Sequence, residues 1–152
     1  MAQTTRYHDV LAAAVNLLRA NADALSANVG GSVSVRTGNV RLDEIPADGY
    51  PFVSVYRLGK RADNIIAMGN VSANNLRLQF DGYVSATDET AADESAEWLA
   101  ENLESLLRSN KRLGLTGVLP GKLEETQLDT DRFGDAYLAG VRVFFTIPVV
   151  AT

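Results

Sequence analysis

The stretch from Leu76 to Asn110 limits what this chain can become more than any other. Leu76, Leu78 and Phe80 alternate with Arg77, Gln79 and Asp81, which is the period of a strand with one buried face. Gly82 interrupts, and Val84 and Ala86 resume the same face. Thr87 and Asp88 then supply helix N-caps, and Thr90 with Asp93 has the spacing of a capping box. Ala92, Ala96, Leu99, Leu103 and Leu106 follow at steps of three and four, which lays one apolar stripe along a helix. Asp88, Glu89, Asp93 and Glu94 lie near its start, and Arg108, Lys111 and Arg112 near its end, an order that complements the helix dipole. Gly114 is the expected stop.

The remaining segments supply layers for this unit. Tyr7, Leu11, Ala14, Leu18, Ala22 and Leu25 predict an opening amphipathic helix, broken at Asn28–Gly31. Val33 and Val35 mark a short strand before the turn Thr37-Gly38-Asn39. Val40 to Ile45 either pairs back or stays extended, and Pro46 to Pro51 is a loop. Phe52 to Leu58 is rich in strand-forming residues. Gly59 to Asn75 reads as a long connection of weak periodicity, or in part as a hairpin arm that orders against a partner. Leu123–Leu128 is a candidate strand and Asp129–Asp135 a polar turn. Ala136–Ile147 is the last strand, with Tyr137, Ala139, Val141, Val143, Phe145 and Ile147 on its apolar face. Two striped helices suit one face of a mostly antiparallel sheet. The expected fold is therefore an α+β two-layer sandwich, in one domain spanning residues 1–152.

Charge and composition narrow the function. Hydrophobic residues make up 46% and charged residues 22%, which predicts a packed core rather than disorder. The net charge of −5 disfavours sequence-independent binding of duplex DNA. The absence of cysteine removes disulfides, thiolate metal sites and cysteine nucleophiles. No signal peptide and no apolar run long enough for a bilayer is visible, so no membrane partner is expected.

Motifs for chemistry fail one by one. His8 is the lone histidine, in the opening turn of a helix and without a nucleophile motif. Gly59-Lys60-Arg61 and Gly121-Lys122-Leu123 lack the upstream glycine and following Ser/Thr of a phosphate loop. Asp129-x-Asp131-x-Phe133-Gly134 starts like a calcium loop but fails at Phe133 and at Gly140, where oxygen ligands belong. Glu124 and Glu125 with the Asp129 cluster are carboxylates of the right type for acid/base work, with nothing to fix their distance. No catalytic, cofactor or metal residue is assigned. Other residues look surplus to a monomer core. Trp98 lies off the helix stripe, as a rim residue or as an anchor for a neighbour. Phe144 faces opposite to Phe145, and Ile65, Ile66 and Met68 are apolar residues in a polar connection.

The chain resembles the tail terminator, or tail completion, proteins of long-tailed bacteriophages. The resemblance rests on several segments. They are the N-terminal helix with His8 and Ala13-Ala14-Val15, Asp43-Glu44 followed by Tyr50-Pro51-Phe52-Val53-Ser54-Val55-Tyr56, the Leu58-Gly59 exit, the Leu76–Asn110 unit, and the polar turn before Ala136–Ile147. It implies a small α+β subunit without enzymatic activity or cofactor. Such subunits form a homo-hexameric ring that caps the tail tube, stops its growth and provides the head-joining face. The implied partners are the tail-tube protein and a head-completion or neck protein, in the virion tail after assembly in the host cytoplasm. Genome DNA passes through without specific binding. Trp98, Phe144, Lys60, Arg61, Ile65, Ile66 and Met68 are then candidate subunit or tube contacts. Asp43, Glu44, Glu124, Glu125, Asp129 and Asp131 are candidates for an acidic channel lining that repels the duplex. Two rivals stand beside this reading: another neck or tail-tube ring component, and a small acidic enzyme using the carboxylates near Asp129.

Overall fold

A computed structural model describes residues 6–38, 41–67, 71–133 and 135–151; the side chains of residues 43, 47, 59–67, 71–73, 133 and 151 lie outside that description. The sequence order is α1 (Tyr7–Ala20), α2 (Ala22–Ser26), β1 (Ser34–Thr37), β2 (Phe52–Ala67), β3 (Val71–Ala86), α3 (Glu89–Ser109), β4 (Lys122–Phe133) and β5 (Ala136–Ala151). Two short 3-10 turns, Leu42–Glu44 and Ala47–Gly49, bridge β1 and β2. The strands form one sheet in the order β1-β2-β3-β5-β4. Every pair is antiparallel except β1 with β2. The fold is an α+β two-layer sandwich with its amphipathic helices on one face of a mostly antiparallel sheet.

The strand-to-helix unit sits at the centre, as its patterning requires. Leu76, Leu78, Phe80 and Val84 of β3 and Val141, Val143, Phe145 and Ile147 of β5 point to the helix layer. Ala92, Ala96, Leu99, Ala100, Leu103 and Leu107 of α3 close over them. Full burial of each such leucine contributes about 1.5–3 kcal/mol relative to exposure. The interruption at Gly82 has a packing cause: a Cβ there would lie 2.6 Å from Leu99 Cδ2. Asp88 caps α3 by accepting from the Ala91 N–H at 3.3 Å. Asp93 instead accepts from the Thr130 hydroxyl and ties the helix to β4.

Several expected boundaries move. The opening helix is two pieces, because Asn21 ends α1 and Leu25 is buried from the separate α2. The N-terminus of α1 is closed by the Arg6 N–H donating to Asp9 at 2.9 Å. α3 ends at Ser109, before the expected Gly114. Asn110 covers that end, its side-chain amide donating to Leu106 O at 2.9 Å. Val40–Ile45 does not form a strand over its described part, which turns as a 3-10 segment at Leu42–Glu44.

Two corrections bear on function. Gly59–Asn75 is not a structureless connection: β2 runs on to Ala67, and β3 begins at Val71. Lys60 pairs with Leu76, Arg61 with Asn75 and Ile65 with Ala73, with register shifts after Arg57 and Arg61. Irregular pairing of this kind breaks a strict alternation, so periodicity gives little sign of it. The polar turn at Asp129–Asp135 is likewise displaced, because β4 continues to Phe133. Asp129 and Asp131 therefore stand on a paired strand, opposite Gly140 and Leu138, and cannot wrap an ion as a calcium loop does.

Candidate interface surfaces

The sheet face away from the helices is built by period-two alternation. Tyr56 on β2, Gln79 and Asp81 on β3, and Arg142 and Phe144 on β5 all turn away from the aliphatic core. Register places Gln79 beside both Tyr56 and Phe144, and Asp81 beside both Ser54 and Arg142. These cross-strand positions are close enough for direct side-chain contact. Arg142 Nε donates to Asp81 Oδ1 at 3.0 Å, and its Nη2 reaches Oδ2 at 3.4 Å. The Tyr56 hydroxyl donates to Asp81 Oδ2 at 2.7 Å, and Gln79 Nε2 donates to Oδ1 at 2.9 Å. Gln79 Nε2 also donates to the Tyr56 hydroxyl oxygen.

The Asp81 carboxylate is buried, and every donor converges on it. Burial, the hydrogen bond to Asp81 and the charge of Asp81 push the Tyr56 hydroxyl up to about 12. Burial raises Tyr83 above the usual tyrosine value, helped by the same carboxylate. The Asp81 hydrogen bond raises Arg142. Beside this cluster lies an open depression of about 360 Å³, whose lining includes Leu42, Tyr83, Asp129, Asp131, Leu138 and Arg142.

A second polar group lies further along the same face. The Arg77 guanidinium covers the Phe144 ring at 4.3 Å. Its Nε is 3.0 Å from Glu124 Oε2, but that N–H is not aimed at an acceptor, so the contact is ionic rather than a directed hydrogen bond. The Thr146 hydroxyl donates to the other Glu124 oxygen.

The residues singled out in the sequence occupy separate places. Phe144 is on the open face but is buried beneath Arg77 rather than bare. Trp98 leaves the buried stripe of α3 and is 44% exposed, with Glu94 and Glu101 one turn away on either side. Glu44 is exposed and lies 3.7 Å from Arg41. Glu125 is exposed and accepts from Gln127 at 3.2 Å. Asp129 and Asp131 border the depression, whereas Glu124 and Glu125 do not. The structure thus does not bring the two acidic groups into one cleft, which the acid/base reading required. His8 is exposed in the first turn of α1, 3.1 Å from Asp9. The side chains of Asp43, Lys60, Arg61, Ile65 and Ile66 lie outside the described residues, as does the whole of Met68. Sequence reasoning missed the Tyr56–Gln79–Asp81–Arg142 cluster. Its signal was present as a polar row in β3, but alternation alone reads such a row as solvated.

No family model matches the chain, and no curated protein sequence matches it. Its fold is that of a solved chain from the virion of a native gene transfer agent particle. The two share 15% identity and a TM-score of 0.53, over 93% of this chain and 95% of the other. Among the described residues, no helix is long and apolar enough to cross a membrane.

Proposed function

We propose that this chain is a structural subunit of a phage-like virion, and within that class a tail-terminator-like protein. The observation that carries the first part is the fold shared with a virion chain over nearly the full length of both. A fold alone does not give a function, so the particular role draws on the surfaces as well. The chain acts as one domain that assembles into a homo-hexameric ring on the end of the tail tube, stops tube growth and offers a face to a head-completion or neck protein. No step of this role requires catalysis or a cofactor. Trp98, exposed amid acidic residues on α3, is a contact of the kind that anchors subunits. Glu44, Glu125, Asp129 and Asp131 are exposed and available to an acidic channel lining, whereas Glu124 is engaged by Arg77 and Thr146. Asp43, Lys60, Arg61, Ile65, Ile66 and Met68 keep their proposed roles from sequence.

The test is complementation of a tail-defective phage lysate, scored by tail length and head joining. The expected result is tails of uniform length that join heads when the protein is added. A neck component would leave tail length unregulated, and a tube component would itself lengthen the tube. Either outcome rejects the terminator role.

A further inference from the structure

The depression of about 360 Å³ on the open face owes its floor to a missing side chain. Register sets Gly140 of β5 between Tyr83 of β3 and Asp129 of β4. A Cβ at Gly140 would lie 3.3 Å from the Tyr83 ring, so the bare glycine keeps the space beside that ring open. Leu42 and Leu138 add an apolar wall, and Asp131 stands opposite Leu138, on the same side of β4 as Asp129. Asp81, Asp129 and Asp131 against Arg142 leave the lining a net charge of −2. Arg142 is held by Asp81, and the neighbouring Arg132 turns to the other face, 6.0 Å from the Tyr137 ring. Asp129 and Asp131 are exposed, and among the described residues neither has a cationic partner. An aromatic ring, an apolar wall and two carboxylates without a counter-ion together suit a guanidinium group.

The chain carries the complement elsewhere. Residues 110–114 form a tight turn after α3. The Leu113 N–H donates to Asn110 O at 2.9 Å, the Leu115 N–H to Arg112 O at 2.9 Å, and the Gly121 N–H to Lys111 O at 2.7 Å. Leu113 is buried, so the turn is pinned at its centre. Lys111 and Arg112 are exposed, and neither has an ion pair among the described residues. They are the one pair of adjacent cations whose side chains are described, and they present a charge of +2 on a fixed support. Gly121 abuts Phe145, which faces the helix layer. Phe145 lies five residues along β5 from Gly140, a distance of roughly 17 Å. Turn and depression thus stand on opposite sides of the sheet and cannot meet within one chain.

We propose that the Lys111–Arg112 turn of one copy docks in the depression of the next, with Arg112 against the Tyr83 ring and between Asp129 and Asp131. The inference rests on the ring reading above and names the contact that builds the ring. It assigns Asp129 and Asp131 to the junctions rather than to the channel wall. Charge decides between the pairings available to two copies: depression against depression sets acid on acid, turn against turn sets base on base, and only turn against depression is attractive. Such a junction of unlike surfaces repeats head to tail, and a row of copies built on it can close on itself.

The test uses two variants of the full chain, with folding checked by circular dichroism. D129K/D131K reverses the charge of the depression, and K111E/R112E that of the turn. Each alone is expected to raise the concentration for half-assembly by about tenfold or more, read by analytical ultracentrifugation and electron microscopy with tail tubes present. An equimolar mixture is expected to assemble better than either variant, because copies that alternate around a ring set opposite charges together at every junction. Assembly of either variant at the parent's concentration, or a mixture no better than its parts, overturns the junction. So does a D129K/D131K ring that forms normally but no longer binds the tail tube, since the depression then takes a different protein. The chain has no cysteine, which allows a second measurement that does not depend on charge reversal. K111C mixed with D131C should be joined by a short bismaleimide on assembly, and neither variant should be joined to itself. Rings without the mixed product, or self-joined copies, overturn the proposal. Parent rings with unaffected variants reject this junction alone, whereas a parent that never forms rings rejects the ring reading itself.

Discussion

The two faces of this sheet hide their side chains by different means. On the helix side, Leu78, Phe80, Val143 and Phe145 meet Leu99, Leu103 and Leu107, a contact that is apolar and non-directional. On the other side, one residue along the same strands, Gln79 and Asp81 are almost as fully withdrawn from solvent. There the burial depends on directed bonds from Tyr56, Gln79 and Arg142 to one carboxylate. The helix face therefore sets whether the chain folds. The open face is a polar structure held in register, suited to presenting a fixed surface.

Deleting volume on the helix side should have the largest effect. Leu103 of α3 is fully buried in the core between helix and sheet, so Leu103→Ala should lower stability by about 2–5 kcal/mol, measured by urea unfolding. A loss of well under 1 kcal/mol would mean that α3 does not hold the sheet. Asp81→Asn should have a smaller effect, about 1–3 kcal/mol, because it removes the charge around which three donors are arranged while Arg142 stays half-exposed to water. If Asp81→Asn cost as much as Leu103→Ala, the difference drawn between the faces would not stand.

The smallest effect is pH-dependent. The Tyr56 hydroxyl is raised from 10.0 to about 12 in the folded chain, by burial and by its bond to Asp81. Below pH 10 both folded and unfolded chains keep the proton, and the contribution is fully present. Above pH 10 the unfolded chain ionises first, so stability should fall as pH rises toward about 12. Tyr56→Phe should lose about 0.5–1.5 kcal/mol at neutral pH and flatten that alkaline fall. An unchanged alkaline slope in thermal melts would place its origin elsewhere, Tyr50 and Tyr83 being the other raised tyrosines.

What could be read in advance divides along the same line. Leu76–Phe80 and the α3 stripe were legible because burial against helices imposes a period on apolar residues. The β2–β3 arm was legible only as an alternative, a hairpin arm over part of Gly59–Asn75, because its pairing is backbone to backbone and shifts register after Arg57 and Arg61. Asp81 was legible as polar and on the far face. Its burial was not, since that depends on Arg142, 61 positions away, arriving opposite it. Asp129 and Asp131 looked like a turn because acids are rare in strands, yet β5 carries β4 through them. The open face and edges, where the candidate contacts lie, are thus the part that local pattern describes least.

The most direct measurement is cryo-electron microscopy of tails assembled with this protein. A single closed ring of copies at the tube end that joins the head, and none along the shaft, is the predicted result. Copies repeated along the tube, or finished tails without the protein at either end, would contradict a terminator role.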